Sequence, residues 1–257
     1  MTTTSSTAAA KAAAPRPGRG RRHHHPDERP LRRALRSLST VLIAAGALVL
    51  VDATLTYFWQ EPLSSLWTSH RQSVLRRQLR VIAKTPPTPS ELRTLRRLDT
   101  DRARIAYLSE TLRRRTEHGQ ALGRIVIPRA GADFVIVKGD DPPDLRRGPG
   151  VYDGSPLPGS DGTVAIAGHR TTYLSPFRHI DRLRPGDPIT IDMPYARFTY
   201  RVDRHTIVSP NQVSVIRRVR YDQLVLTACN PLFSAAQRIV VFARLVRVQP
   251  AGLLARL

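Results

Sequence analysis

Cys229, the only cysteine in the chain, ends the apolar run 224–228 and is followed at once by Asn230 and Pro231. Period-two alternation puts Val225, Thr227 and Cys229 on one face of a strand. Proline then halts the strand, because it has no N–H to give a ladder. A thiol at a strand tip beside a turn is placed to meet a substrate; a small buried hydrophobe is the alternative reading. Arg238 opens the next apolar run, 239–246, after the connection 230–237. If the two runs pair antiparallel, Cys229 and Arg238 meet at one end of a sheet. A guanidinium there can hold a thiolate and donate to a developing oxyanion. His169 follows the run 163–167 through Gly168, again at a strand tip. An imidazole beside a thiol lets the pair exchange a proton, giving a thiolate nucleophile and a general acid for a leaving amine. Singly these residues prove little, since a strand-start arginine is unremarkable in a chain with 41 Lys and Arg.

The elements that must position them begin near Gly123. From there the sequence alternates short β-rich runs with turn residues: RIVIP, ADFVIVKG, GTVAIAGH, PITIDM, RFTYRV, RHTIVSP, QLVLTAC and QRIVVFARLVRV. Runs at this spacing suit a mainly β barrel or sandwich over 123–249, with a tail at 250–257. No repeat of fixed period is visible.

The segment before the β region differs in kind. Residues 1–36, rich in Ala, Pro, Ser, Thr and Arg, read as a disordered basic tail. Residues 37–59 hold a stretch, 38–59, that as a helix would span about 33 Å, against about 30 Å of bilayer hydrocarbon. Tyr57, Phe58 and Trp59 stand where an interfacial aromatic belt would lie, and Asp52 interrupts the apolar character. A cleaved signal peptide is the rival reading, but the apolar stretch is long and no clear small-x-small cleavage site precedes Trp59. Seven Arg in 17–36 against three in 60–79 put the tail in the cytoplasm and the remainder outside a cell membrane crossed once. Residues 60–122 form an Arg-rich stalk of two amphipathic helices broken by TPPTP at 85–89. It either lies on lipid or packs loosely on the main domain.

The net charge of +21 is spread evenly, with +7 on each of 1–36, 60–122 and 123–249. That balance favours anionic lipid headgroups or an anionic polymer. No nucleic-acid motif or basic-aromatic interleaving accompanies it, so nucleic acid is not an expected partner. Lacking a disulfide partner, the lone thiol is a candidate for chemistry. The chemistry outlined requires no metal or other cofactor, and no carboxylate cluster is evident in the sequence.

The stretches GHRTTYLSPF (168–177), LRPGD (183–187) and LTACNPLFSAAQR (226–238), in that order, closely resemble the sortase family. They are most similar to the class E sortases of high-GC Gram-positive actinobacteria. The resemblance covers roughly 123–248. It implies an eight-stranded sortase-type β-barrel and a cysteine transpeptidase in which Cys229, His169 and Arg238 are catalytic. It further implies cleavage between Thr and Gly of a C-terminal Leu-Ala-x-Thr-Gly or Leu-Pro-x-Thr-Gly signal on secreted proteins. The acyl group would then pass to an amine of a peptidoglycan precursor. Tyr152 aligns with a family tyrosine tied to Ala at the second signal position; Thr171, Thr172, Tyr173, Thr227 and Asn230 complete the expected substrate contacts. The nucleophile segment departs from the family's Thr-Leu-x-Thr-Cys, reading Val225-Leu226-Thr227-Ala228-Cys229, and Asn230 stands where class E often has His. An L,D-transpeptidase, a papain-like wall hydrolase and an inert polymer-binding module are the alternatives. The first lacks its Ser-His-Gly-Cys-x-Arg signature, and the second has the opposite Cys-His order.

Overall fold

A computed structural model describes residues 29–59 and 62–256. Helix α1, Arg29–Trp59, starts well before the expected boundary at 37. Its segment Ala34–Thr54 is long and apolar enough to cross a membrane, and none of it is buried by protein. Val41, Ile43 and Leu48 are each more than 60% exposed, a pattern that suits a lipid environment. The basic tail before Arg29 lies outside the described residues.

The stalk holds three helices rather than two: α2 (Pro62–Lys84), α3 (Pro89–Arg97) and α4 (Asp101–Arg115). The additional break follows from capping. Thr88 and Glu91 form a reciprocal capping box at the start of α3, and the Thr100 hydroxyl accepts from the Ala103 N–H at the start of α4. These helices belong to the core. Leu75 of α2 packs on Ala121, Val135 and Val137, and Leu95 and Ile105 join the main cluster at 0% and 4% exposure. Gln72 fixes α2 further, accepting from the Val135 N–H at 2.8 Å and donating to the Arg147 carbonyl at 2.7 Å.

The β region closes into an eight-stranded barrel of β1 (Ala121–Ile127), β2 (Ala132–Lys138), β3 (Gly150–Val151), β4 (Thr163–Ala167), β5 (Pro188–Asp192), β6 (Ala196–Val208), β7 (Gln223–Asn230) and β8 (Gln237–Pro250). The order around the barrel is β1-β2-β3-β4-β7-β8-β6-β5. The expected count of eight is right, but its composition is not. RFTYRV and RHTIVSP are one strand, β6, bent by an irregularity between Val202 and Arg204 against β8. At such a bulge the face alternation slips and reads as a boundary. The eighth strand is instead the two-residue β3, too short for any pattern to announce.

Two pairings build the rim at which Cys229 stands. β4 and β7 run parallel, from Thr163↔Gln223 to Ala167↔Thr227. All five residues of β4 are buried, as expected of a strand covered on both faces. β7 pairs antiparallel with β8, ending in Cys229↔Arg238 and Asn230↔Gln237.

Candidate active site

The register brings the ends of three separated segments to one rim of the barrel. The Gly168 N–H donates to the Thr227 carbonyl at 3.0 Å, which continues the β4–β7 ladder beyond Ala167. Cys229 is paired with Arg238, and His169 follows directly on Gly168, one residue past the last bond to β7. The strands β4, β7 and β8 are neighbours in the barrel, so His169, Cys229 and Arg238 come from three adjacent chains at one rim.

Alternation decides which face the thiol takes. Leu224, Leu226 and Ala228 point into the main core. Val225 lies on the other face with Ala165, Val240 and Phe242, and Tyr152, Val208, Val215 and Ile216 pack against them. Cys229 continues this second face past Thr227 and is partly exposed. It therefore heads an apolar strip on the outside of the barrel, flanked by Tyr152 and by the short turn Val213–Ile216.

His169 is mostly buried, and its Nε2 makes no hydrogen bond although no solvent reaches it. Burial holds its pKa below the ordinary histidine value, and the Arg146 cation lowers it further. The neutral imidazole is thus the resting form near pH 7. Its ring lies 4.9 Å from that of Tyr173 in a tilted contact, and the Arg146 guanidinium sits 5.9 Å over Tyr173. Gly168 is required by a close approach, since a Cβ there would lie 2.5 Å from the Phe177 ring. Phe177, itself fully buried, returns its N–H to the His169 carbonyl at 3.0 Å. The loop between them is strained: Tyr173, Leu174 and Ser175 have φ of 52°, 64° and 44°. Left-handed conformation costs a non-glycine residue roughly 1–2 kcal/mol, and such strain clusters at functional sites.

Arg238 is partly exposed, and its Nη1 donates to the carbonyls of Ala235 at 2.9 Å and Gln237 at 3.0 Å. The Tyr152 hydroxyl is 2.8 Å from the Thr227 hydroxyl. Burial raises the Tyr152 pKa, opposed by that hydrogen bond. Thr171 and Thr172 lie on the loop after His169, half-buried. Asn230 is engaged within the protein: its Oδ1 accepts from Arg170 at 2.7 Å, and its Nδ2 donates to Gln237 at 3.2 Å.

Arg170 and Arg146 escaped sequence reasoning. Arg170 adjoins His169 in the motif, but nothing in its type or spacing says that it is buried. Also missed was a group of His118, Asp141 and Asp144, whose potential ligand atoms lie within 4.8 Å of one another. Its first aspartate comes twenty-three positions after its histidine, and His118 is already paired with Asp144 at 3.2 Å and Asp153 at 3.3 Å.

Residues 125–246 match a family model described as the Sortase domain. The chain is 34% identical over 134 residues to Sortase D of Bacillus subtilis (strain 168), covering 51% of this chain and 66% of that protein. It is 35% identical over 100 residues to Sortase SrtE1 of Streptomyces coelicolor, covering 35% of this chain and 28% of that protein. The chain thus spans less than two thirds of the length of either curated relative. Among solved structures, a Clostridium perfringens Sortase D5 transpeptidase is similar with a TM-score of 0.50 and 25% identity, over 55% of this chain and 88% of that one.

Proposed function

From a chain whose barrel belongs to the sortase family of cysteine transpeptidases, we propose a membrane-anchored enzyme that cuts a C-terminal sorting signal and passes the acyl part to a cell-wall amine. The observation that supports this reading is that His169, Cys229 and Arg238 stand at the adjoining ends of β4, β7 and β8, strands joined by one parallel and one antiparallel pairing. It is supported by the partial exposure of the thiol.

In the proposed cycle, the Cys229 sulfur attacks the carbonyl carbon of the Thr–Gly bond as a thiolate. Arg238, with a backbone N–H near Cys229, stabilises the oxyanion of the tetrahedral intermediate. His169, as imidazolium, gives its proton to the Gly nitrogen, the C–N bond breaks, and a thioester remains. An incoming amine attacks the thioester, His169 takes the amine's proton, and the thiolate leaves with the new amide formed. The depressed His169 pKa makes the thiolate–imidazolium pair a minor form from which each turnover draws.

Helix α1 would hold the enzyme in the cell membrane with the Arg-rich start cytoplasmic and the barrel outside. The Tyr152–Thr227 pair beside the thiol supports a preference for Ala over Pro at the second signal position, as in class E. The likeness to Sortase D favours no particular residue there. The test incubates the full chain in detergent with Leu-Ala-x-Thr-Gly and Leu-Pro-x-Thr-Gly peptides, with and without an amine. Mass spectrometry should find a thioacyl adduct on Cys229 and an amide product only with amine. Peptide cleavage that survives Cys229→Ala would overturn the proposal.

A further inference from the structure

Two arginines approach Cys229, and their burial separates their roles. Arg238 is partly exposed at the barrel rim, whereas Arg170 is only 5% exposed, so no substrate atom can reach its guanidinium. Its donors are all directed at the protein. Nη1 bonds the Asn230 Oδ1 at 2.7 Å and approaches the Cys229 carbonyl at 3.4 Å. Nε donates to the Arg178 carbonyl at 3.3 Å, and Nη2 meets Asp181 at 3.1 Å. Asn230 passes the connection on to Gln237, its partner across β7 and β8.

We infer that Arg170 is a positioning residue, an inference that rests on the proposed transpeptidation: the chain Asp181–Arg170–Asn230–Gln237 clamps the Cys229 end of β7 to the loop that carries His169. The need for a clamp follows from where the ladder stops. The last β4–β7 pair is Ala167↔Thr227 and the last bond is from Gly168, so His169 and Cys229 lie beyond the hydrogen-bonded part of these two strands. With no backbone bond between those two residues to set their spacing, a planar guanidinium with five N–H groups in fixed directions does so through side chains. Its neighbour His169 and the carbonyl of Cys229 are then referred to one rigid group. A misplacement of about 1 Å can cost on the order of 100-fold in rate.

The test rests on the full chain and on two readouts. Arg170→Met is the informative variant, because it keeps much of the side-chain length while removing every donor, and Asp181, half-exposed, can turn to solvent. We expect kcat to fall roughly 10- to 100-fold with KM changed less than about threefold. We also expect the profile of Cys229 alkylation by iodoacetamide to lose its dependence on His169, so that adding His169→Gln changes it no further. Arg170→Lys, one ammonium in place of a fork, should restore a minority of the rate. Asn230→Ala should reproduce the defect more mildly, and Arg170→Met/Asn230→Ala should be no worse than Arg170→Met alone. A folded Arg170→Met protein with kcat within twofold of wild type and an unchanged alkylation profile overturns the inference; so does a loss confined to KM. If Arg170→Met does not fold, Asn230→Ala decides, and kcat within twofold refutes the clamp. The alkylation readout needs no sorting substrate. If the wild type cleaves none of the peptides, the functional reading fails while the clamp is still tested.

Discussion

Replacing Arg238 by alanine tests the chemistry most directly. The Arg238 Nη1 is already held by the carbonyls of Ala235 and Gln237 at 2.9 and 3.0 Å. Those two bonds use both hydrogens of Nη1, leaving Nε and Nη2 with three N–H groups for a substrate oxyanion. The group is thus tethered before substrate arrives and little reorganisation remains at the transition state. Losing one preorganised oxyanion donor costs about 10²–10³ in kcat, or about 2.7–4 kcal/mol, and Arg238→Ala should fall in that range with KM little changed. Arg238→Lys should recover about tenfold at most, because an ammonium that satisfies the two carbonyls has less left to offer. The assay is release of a fluorophore from a quenched sorting-signal peptide, paired with the rate of Cys229 alkylation by iodoacetamide. Alkylation displaces iodide and forms no oxyanion, so it should stay within about threefold of wild type. A folded Arg238→Ala protein that keeps kcat within fivefold refutes the assignment, as does a parallel collapse of both rates.

Three further outcomes are expected from the same geometry. Tyr152→Phe strands the hydroxyl of Thr227, a residue only 5% exposed. It should destabilise the fold by about 1–3 kcal/mol in urea titration; adding Thr227→Val should recover part of that, and the ratio of Ala- to Pro-signal cleavage should fall in both. His169 and His179 are both held below the ordinary histidine pKa, chiefly by burial. The folded state therefore binds fewer protons than the unfolded one, and stability should drop as pH falls below about 6.5 toward their depressed values. In His169→Gln that acid loss should shrink; an unchanged slope removes His169 as its source. Truncation to 123–257 removes Leu95 and Ile105, at 0% and 4% exposure, along with Ala121 and Leu122 of β1. At about 1.5–3 kcal/mol per large buried side chain, that fragment should lack a cooperative thermal transition, whereas one starting at 62 should retain it.

The placement of the three candidate residues was legible because each lies at the end of a recognisable apolar run, and those runs are the strands β4, β7 and β8. Their convergence was not derivable from spacing, since the parallel alignment of β4 with β7 is set by packing across more than fifty residues. The helices of the stalk were visible by period. Their integration was not, because Leu95 and Ile105 look the same in an amphipathic pattern whether they face lipid or a barrel. Arg170 was hidden for a related reason: in a chain with 41 cationic residues, charge type carries almost no information about burial. Asn230, read as a substrate contact, has its amide committed to Arg170 and Gln237.

The distribution of charge bears on the substrate as much as on the membrane. The face that Cys229 heads is built of Ala165, Val225, Val240 and Phe242, with Arg238 beside Cys229 at its end. The Arg204 guanidinium borders this face, stacked 4.1 Å above the Phe242 ring. Those four side chains are at most 5% exposed and are already covered by Tyr152, Val208, Val215 and Ile216. An uncharged extended peptide would therefore lie along these covering apolar side chains, its scissile carbonyl meeting the cation only at the end beside Cys229. A strongly anionic peptide would instead be drawn to the many arginines elsewhere on the surface, competing with productive placement. Salt should therefore speed cleavage of acidic peptides relative to neutral ones, because screening weakens the surface competition and leaves the apolar contact intact.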